Sequence, residues 1–256
     1  MFRITARTVL ELGAELISSD IIAFYELIKN GFDAEARLGV VPERRRGVDI
    51  RFDIVLPRHA YLKLQDRIAA ATKSLSAPGA SDQEAAVRLQ ALKSDIRDAF
   101  LVTASQAARD AYASRLAAAQ SLTDLSAILA EAQSALNTIT VSDRGSGMSR
   151  DDLESAFLVI GTASRKKDVD AALKAGAKTS PYLGEKGIGR LSAMRLGERL
   201  EVLTARSDDS RLNRLRINWR AFGDMEAMLD QIPVTPEDGG AKPSPDWCGT
   251  DIVISD

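Results

Sequence analysis

A stretch near the amino terminus, residues 18–37, constrains the fold more than any other part of the chain. Ser18, Ser19 and Asp20 are good N-cap residues, so we expect a helix to begin near Ile21. Apolar residues then recur at helical spacing, at Ile21, Phe24, Leu27 and Ile28. The sequence therefore predicts a helix that lies with one face on an apolar surface.

The same helix carries a second stripe, which is polar. Glu26, Asn30 and Asp33 recur at i, i+4 and i+7, so they share one face. Burying two carboxylates and an amide is costly unless partners or an ion meet them. A solvated helix face is the alternative interpretation, because charged residues are mostly exposed.

Several strands are predicted along the chain. Residues 48–55 alternate between apolar and polar side chains, which is typical of a strand with one buried face. Further strands are predicted at 137–141, 200–205, 212–218 and 250–255. Helices are predicted at 150–158, with Ser149 as its cap, at 191–196 and at 221–231. A short helix or arm is predicted at 8–13, and a Pro/Gly loop at 233–245.

The segment between the first two predicted strands, residues 60–136, is rich in Ala, Leu, Gln and charged residues. Leu89, Leu92, Ile96 and Phe100 follow one another at spacings of three and four, as along a helix seam. We expect an inserted helical hairpin or small bundle, whose last helix, near 125–136, is capped within residues 121–123 by Ser121 or its neighbours. A structural appendage is favoured over a catalytic role, because no polar residues converge there; an interaction surface is the other interpretation.

Composition restricts the chemistry. The chain has 256 residues, 45% of them hydrophobic, and a net charge of −2, so no global charge bias favours nucleic acid. No membrane or signal segment is evident in the sequence. One cysteine, Cys248, excludes an internal disulfide and fits a reducing cytoplasm. With one histidine, His59 in a predicted loop, a zinc site or a His-based triad is disfavoured, so a metal would be held by oxygens.

Two glycine-rich segments stand out. The first, Asp143 to Met148, follows a predicted strand; the second, Gly184 to Gly189, precedes a predicted helix, where free backbone N–H groups bind anions. An ordinary turn is the alternative for each, and neither is a Walker A loop or a Rossmann fingerprint. Residues 161–184, between them, are predicted to form a mobile lid.

Four segments occur in a fixed order: Glu26-x-x-x-Asn30-x-x-Asp33-Ala34, Asp143-x-Gly145-x-Gly147-Met148, Gly184-x-x-Gly187-x-Gly189, and Gly249-Thr250. Together they resemble the GHKL ATPase superfamily, which includes gyrase B, the MutL proteins, the large heat-shock chaperones, sensor histidine kinases and MORC ATPases. The resemblance implies an α+β fold, a two-layer α/β sandwich called the Bergerat fold, with a mixed, mainly antiparallel sheet. ATP would lie between the sheet and its helices.

The resemblance also implies roles for individual residues. Asp143 would accept a hydrogen bond from the adenine amino group, and Thr250 would support that contact. Asn30 would ligate Mg²⁺, and Glu26 would deprotonate the attacking water. The other ATP-binding positions expected are Asp33, Ala34, Gly145, Gly147, Met148, Thr162, Lys166, Gly184, Lys186, Gly187, Ile188, Gly189 and Arg190.

Three functions are consistent with this resemblance. An ATP hydrolase that closes a lid and forms a homodimer, most like the MORC and chaperone branches, is favoured by Glu26, because the kinases of this superfamily usually lack that carboxylate. A histidine-kinase-type phosphotransferase and an ATP-gated scaffold with negligible turnover are the alternatives. A protein partner would use the insertion, and DNA would be contacted only through other regions. We also expect a C-terminal part beyond residue 256, and we read 1–256 as one ATPase domain.

Overall fold

The computed structural model describes residues 4–38, 47–76, 81–157 and 189–255. The chain divides into two compact units, Phe52–Thr138 and the flanking Met1–Arg51 with Ile139–Ser255. We call the first the helical unit and the second the sheet unit. No helix among the described residues is long and apolar enough to cross a lipid bilayer.

The elements are numbered in chain order. Helices α1 to α7 are Ala6–Leu16, Asp20–Ala36, Arg58–Leu75, Asp82–Asp98, Gln106–Ala117, Leu122–Leu136 and Arg150–Asp152. A π-helical turn, Leu153–Phe157, continues α7, and 3-10 turns lie at Gly189–Ser192, Trp219–Gly223 and Leu229–Gln231, the first leading into a short helix, Ala193–Leu196. Strands β1 to β6 are Asp49–Asp53, Thr138–Asp143, Arg199–Ala205, Arg211–Asn218, Glu237–Ala241 and Gly249–Ser255.

The six strands form one sheet in the order β1-β2-β6-β3-β4-β5. β3 pairs antiparallel with both β6 and β4, and β4 pairs antiparallel with β5. The core-facing side chains of the sheet, among them Val202 and Leu215, pack with Val9 of α1 and Leu27 of α2. Helices over one face of a mainly antiparallel sheet confirm the predicted α+β, two-layer class.

Helix α2 confirms the first prediction in its position and differs in its buried face. Its N-cap is Ser19, whose Oγ accepts from the Ile22 N–H at 3.3 Å. Ala23, Leu27 and Gly31 are buried, whereas Ile21 is 81% exposed. The predicted stripe was therefore wrong at Ile21, because the buried side of α2 follows the i, i+4, i+8 series of Ala23, Leu27 and Gly31, and Ile21 lies away from it.

Helix α1 spans Ala6–Leu16, longer than the predicted 8–13, and Val9 belongs to the core of the sheet unit. Ser149 caps α7 as predicted, and Asp152 accepts from its backbone N–H to complete a capping box. Beyond Asp152 the backbone turns π-helical, and Leu158 lies outside the described residues.

The helical unit contains α3 to α6, and is thus a small bundle rather than a hairpin. Its own core includes Leu89, Leu92 and Ile96, as the predicted seam requires. Ser121 caps α6 with a capping box to Asp124, as predicted. His59 lies in the first turn of α3, so its assignment to a loop was wrong. Pro57 is the N-cap residue, whose N–H is not needed by the helix, so this proline does not prevent a helix from beginning at Arg58.

Buried polar side chains connect the first residues of the helical unit to its last ones. The Asn137 Oδ1 accepts from the N–H groups of Val55 at 2.7 Å and Leu56 at 3.1 Å. Its Nδ2 donates to Gln133 Oε1 at 2.7 Å, which also accepts from the Tyr112 hydroxyl at 3.1 Å. Burial raises the pKa of Tyr112, so this hydroxyl stays protonated and serves as a donor.

Two predictions in the last fifth of the chain were wrong. The predicted helix 221–231 is two separate 3-10 turns, and the predicted loop 233–245 contains β5. A β-carbon on Gly239 would lie 2.8 Å from Leu212 Cβ, so glycine allows β5 to approach β4 closely. The residues of β5 have low strand propensity, so no strand was predicted there. Its pairing with β4, rather than its own side chains, stabilises this edge strand.

Candidate nucleotide-binding site

Three neighbouring strands carry inward-facing rows of apolar side chains that each end in a polar residue. Alternate residues of a strand share a face, and the rows are Ile139-Val141-Asp143 in β2, Ile254-Ile252-Thr250 in β6 and Leu200-Val202-Thr204 in β3. Asp143, Thr250 and Thr204 are 8%, 5% and 0% exposed. One end of the inner face is therefore polar and nearly closed to solvent.

Asp143 is a buried carboxyl group at the end of β2. Its Oδ1 accepts from the Gly145 N–H at 2.9 Å. Burial raises the pKa of Asp143 to about 7 and Glu35 and Asp251 act in the same direction, while the Gly145 hydrogen bond and Arg144 lower it. A carboxyl that titrates near neutrality, placed among apolar rows, is typical of a functional group.

Glycines bring helix α2 against the turn that follows β2. A β-carbon on Gly31 would lie 3.2 Å from Asp143 Cβ, and one on Gly145 would lie 2.6 Å from Ala34 Cβ. The Ser146 N–H also donates to the Ala34 carbonyl at 3.1 Å. The first and second motifs are thus in direct contact, and Gly145 and Ala34 take part through their backbones.

The fourth motif lies against the same turn. Gly249 has a φ of +131°, and a β-carbon there would lie 2.2 Å from the Asp143 carbonyl oxygen. Arg144 Nη1 donates to that oxygen at 2.7 Å and to Asp251 Oδ1 at 2.9 Å. Contacts on both sides of Thr250 therefore hold it beside Asp143.

Thr204 was not singled out from the sequence, yet it connects the second and fourth motifs. Its Oγ1 accepts from the Met148 N–H at 2.9 Å, donates to the Gly249 carbonyl at 2.8 Å and lies 3.0 Å from Thr250 Oγ1. No local signal marks this residue, because a threonine in a strand is ordinary. Only its register opposite Thr250 reveals the connection.

A second close approach fixes Gly147. It has a φ of +64°, and a β-carbon there would lie 1.9 Å from the Ala205 carbonyl oxygen. Asn213 Nδ2 donates to the Met148 carbonyl at 3.1 Å. The predicted residues Gly147 and Met148 therefore shape the turn through their backbones.

The polar stripe of α2 is not a fully solvated face. Asp33 is 1% exposed and Asn30 is partly buried. The Glu26 carboxylate accepts from Lys29 Nζ at 2.6 Å, with the two side chains 20% and 11% exposed. The solvated-face interpretation is therefore wrong for Asp33, and Glu26 is an ion-paired, half-buried group.

Glu35 is a further buried carboxylate that sequence reasoning missed. It is 7% exposed, and its two oxygens lie 3.0 and 3.1 Å from the Gly47 nitrogen, which donates to them. Glu35 thereby holds the end of α2 to the start of β1, and it lies close enough to Asp143 to raise the pKa of that group.

The third motif is described only at its end. Gly189 and Arg190 begin the 3-10 turn Gly189–Ser192, which packs against α2, and Arg195 Nε lies 3.0 Å from Asp20 Oδ1. The remaining predicted positions of this region lie outside the described residues, as does the predicted lid: Thr162, Lys166, Gly184, Lys186, Gly187 and Ile188.

The site offers oxygen ligands of the kind that Mg²⁺ prefers. Across the described ranges, no three His, Cys, Asp or Glu side chains cluster as a metal site would require. A magnesium ion carried by nucleotide phosphates needs only one or two protein oxygens, however. The partly buried Asn30 amide, on the same helix face as Asp33, fits that role.

Comparisons with known proteins agree with this geometry. The family described as "Histidine kinase-, DNA gyrase B-, and HSP90-like ATPase" matches residues 112–237, which include the turn after β2 and the third motif. The chaperone protein HtpG of Enterobacter sp. (strain 638) is 30% identical over 105 residues, covering 41% of this chain. That match spans 16% of the length of HtpG. Both matches support a GHKL-type ATPase domain in this chain, and ATP binding and hydrolysis are the activities at the level of that family.

Proposed function

We propose that this domain is a Mg²⁺-dependent ATP hydrolase in which α2 supplies the metal ligand and the base, and the polar end of the sheet binds adenine. The observation that carries the proposal is that the first and fourth motifs meet the second one at Asp143 and the turn after it: Gly31 and Gly249 closely approach Asp143, and Gly145 closely approaches Ala34. Motifs far apart in sequence converge on one buried carboxyl group.

Adenine recognition would rest on Asp143 and Thr250. An ionised carboxylate only accepts hydrogen bonds, so it suits the exocyclic amino group of adenine and opposes the carbonyl of guanine. Its burial supports the assignment, because a contact in low dielectric is worth more than one in water. Thr250, 5% exposed on the adjacent strand, would take part directly or through a water.

Glu26 would orient and deprotonate the attacking water, with Asn30 one helical turn away as the metal ligand. When bound, Mg²⁺ would neutralise charge on the phosphates. Lys29 donates to Glu26 at 2.6 Å, which would restrict the carboxylate to one orientation. In this proposal the base and the metal ligand would both lie on α2, one helical turn apart.

The remaining roles extend this proposal. Backbone N–H groups of Gly184, Gly187, Ile188 and Gly189 would bind phosphates, with Thr162, Lys166, Lys186 and Arg190 nearby. ATP would close the lid formed by residues 161–184 and promote homodimerisation, as the resemblance to the chaperone and MORC branches implies. The free Cys248 supports a cytoplasmic location, and the helical unit is the proposed surface for a protein partner.

A nucleotide-gated scaffold with negligible turnover is the second candidate. The observation in its favour is the Glu26–Lys29 ion pair, because a base already bound to a cation must release it or share it before accepting a proton. A histidine-kinase-type phosphotransferase is distinguished by its product, since it would leave phosphate on protein rather than free in solution.

The test of the base is Glu26→Gln. We expect ATP and Mg²⁺ binding to persist, because Asn30 and Asp143 are unchanged, and single-turnover hydrolysis to fall by about a hundredfold or more, the scale of a general base. Equilibrium binding and single-turnover phosphate release should be measured on the same preparation.

The matched control is Glu84→Gln, which removes a helical carboxylate that pairs with Arg88 in the helical unit. It should leave both the dissociation constant for ATP and the single-turnover rate of hydrolysis unchanged. Hydrolysis by Glu26→Gln at the parent rate would refute the catalytic role, and turnover at the limit of detection in the parent itself would favour the scaffold.

A further inference from the structure

Thr204 forms hydrogen bonds to two motifs but belongs to neither. It is fully buried, and its hydroxyl contacts the Met148 N–H, the Gly249 carbonyl and the Thr250 hydroxyl at 2.9, 2.8 and 3.0 Å. Three partners around one hydroxyl is the largest number that a threonine can satisfy, since it has one proton and two lone pairs.

The proton count fixes the direction of the contact between the two threonines. Thr204 gives its only proton to the Gly249 carbonyl, so its contact with Thr250 is a hydrogen bond only if Thr250 donates. The Met148 N–H takes the other lone pair of Thr204. All three bonds can therefore coexist in only one arrangement of protons.

This arrangement determines what Thr250 can offer to a ligand. Its proton is used on Thr204, so only its lone pairs are available. The neighbouring Asp143 is also an acceptor when ionised. The polar end of the sheet then presents acceptors on two adjacent strands, β2 and β6, and no hydroxyl donor from Thr250.

We infer that Thr204 is a positioning residue that holds Thr250 as a hydrogen-bond acceptor, and so makes the site selective for a base with an exocyclic amino group. The inference rests on the proposed function, in which Asp143 and Thr250 bind the base directly or through a water. The carbonyl oxygen of a base that lacks the amino group would meet acceptors only at that position.

The test compares ATP with inosine triphosphate, which carries a carbonyl in place of the 6-amino group, in the parent protein and in Thr204→Val. Valine removes the hydroxyl with little change of shape and frees the Thr250 proton, which can then be donated to a carbonyl. We expect the preference for ATP over inosine triphosphate, as a ratio of dissociation constants, to fall about tenfold, the scale of one or two hydrogen bonds.

Two variants separate positioning from a structural role. Thr204→Ser retains the hydroxyl and should restore the parental ratio. Thr140→Val removes a buried threonine hydroxyl from a different strand, β2, and should leave the ratio unchanged, even if the melting temperature falls. A structural role of Thr204 alone would weaken both nucleotides equally and leave the ratio as it was.

The outcomes separate the inference from the proposed function. If the parent protein does not bind ATP, the proposed function fails. If the parent discriminates and Thr204→Val discriminates equally well, the inference fails while the proposed function stands. If Thr204→Val does not fold, Thr204→Cys gives the same comparison, because a thiol is similar in size but hydrogen-bonds weakly.

Discussion

At the scale of single residues, the buried Asp143 couples the candidate site to the stability of the sheet unit. Its folded pKa of about 7 lies above the ordinary 3.8, so the folded state binds its proton more tightly than the unfolded state. This contribution to stability is complete below pH 3.8 and is lost as the pH rises through about 7. At neutral and higher pH the ionised carboxylate therefore opposes folding.

The corresponding prediction is that Asp143→Asn changes the pH dependence of unfolding. The amide oxygen can still accept from Gly145 but does not ionise. The variant should therefore gain stability relative to the parent as the pH rises from 3.8 to about 7, measured by urea unfolding at a series of pH values. ATP binding should weaken, because a charge-assisted bond is lost.

Asp238→Asn is the control for this experiment. Hydrogen bonds from Arg211 and from the Gly240 N–H lower the pKa of the exposed Asp238, so its stabilising effect is lost only as the pH falls into the acid range. A relative stability of Asp143→Asn that stays constant between pH 3.8 and 7 would contradict the assigned pKa.

At the scale of elements, the contact between α2 and the turn after β2 depends on the absence of one side chain. A β-carbon on Gly145 would lie 2.5 Å from the Ala34 carbonyl carbon and 2.7 Å from the Glu35 nitrogen, which are backbone atoms of a helix and cannot move alone. We predict that Gly145→Ala lowers stability by about 1–3 kcal/mol, the usual cost of overpacking.

The matched control is Gly223→Ala, because an added β-carbon there meets no atom within 4 Å. Thermal unfolding compares the two variants. Equal melting temperatures would mean that α2 can move away from the turn after β2 without loss of stability, and would contradict the prediction. ATP affinity should fall only for Gly145→Ala, since Asn30 and Asp143 are held together by this contact.

Prediction from sequence succeeded where local chemistry decides the structure. Ser19, Ser121 and Ser149 cap helices as expected, because a short hydroxyl side chain meets free N–H groups within the same few residues. Failures occurred where distant residues decide. β5 depends on its pairing with β4, and the role of Thr204 depends on its register opposite Thr250.

The candidate site follows the same division. Glycine spacing identified Asp143 and Gly145, because close approach leaves a signal in the sequence. Glu35 left no signal, since its partner is the backbone of Gly47 and any sequence can supply a backbone N–H.

At the scale of the whole molecule, the residues that the structure describes form two hydrophobic cores, one in each unit. The hydrogen bonds of Asn137 connect the first residues of the helical unit, Val55 and Leu56, to its last residues. We predict that residues 52–138 fold alone, with a helical circular dichroism spectrum and a cooperative melt. The sheet unit with residues 60–136 replaced by a short turn should fold and bind ATP.

Asn137→Ala tests whether this network holds the isolated helical unit together. Because it leaves buried N–H groups without acceptors, it should destabilise that unit by about 1–3 kcal/mol or more. The exposed Gln120→Ala should have no such effect. A non-cooperative melt of the isolated unit, or loss of ATP binding when it is replaced, would show that the two units fold as one.

The buried position of Asp143 at the end of its row also has a consequence for how this residue would change in evolution. The charge of Asp143 opposes folding at neutral pH, since burial disfavours the ionised form. In a lineage that no longer used the site, a change of Asp143 to asparagine would keep an acceptor for the Gly145 N–H and would raise stability at neutral pH, so selection would not act against it. Among descendants that had lost the activity, residue 143 should therefore change earlier than the capping serines, because the serines stabilise the fold.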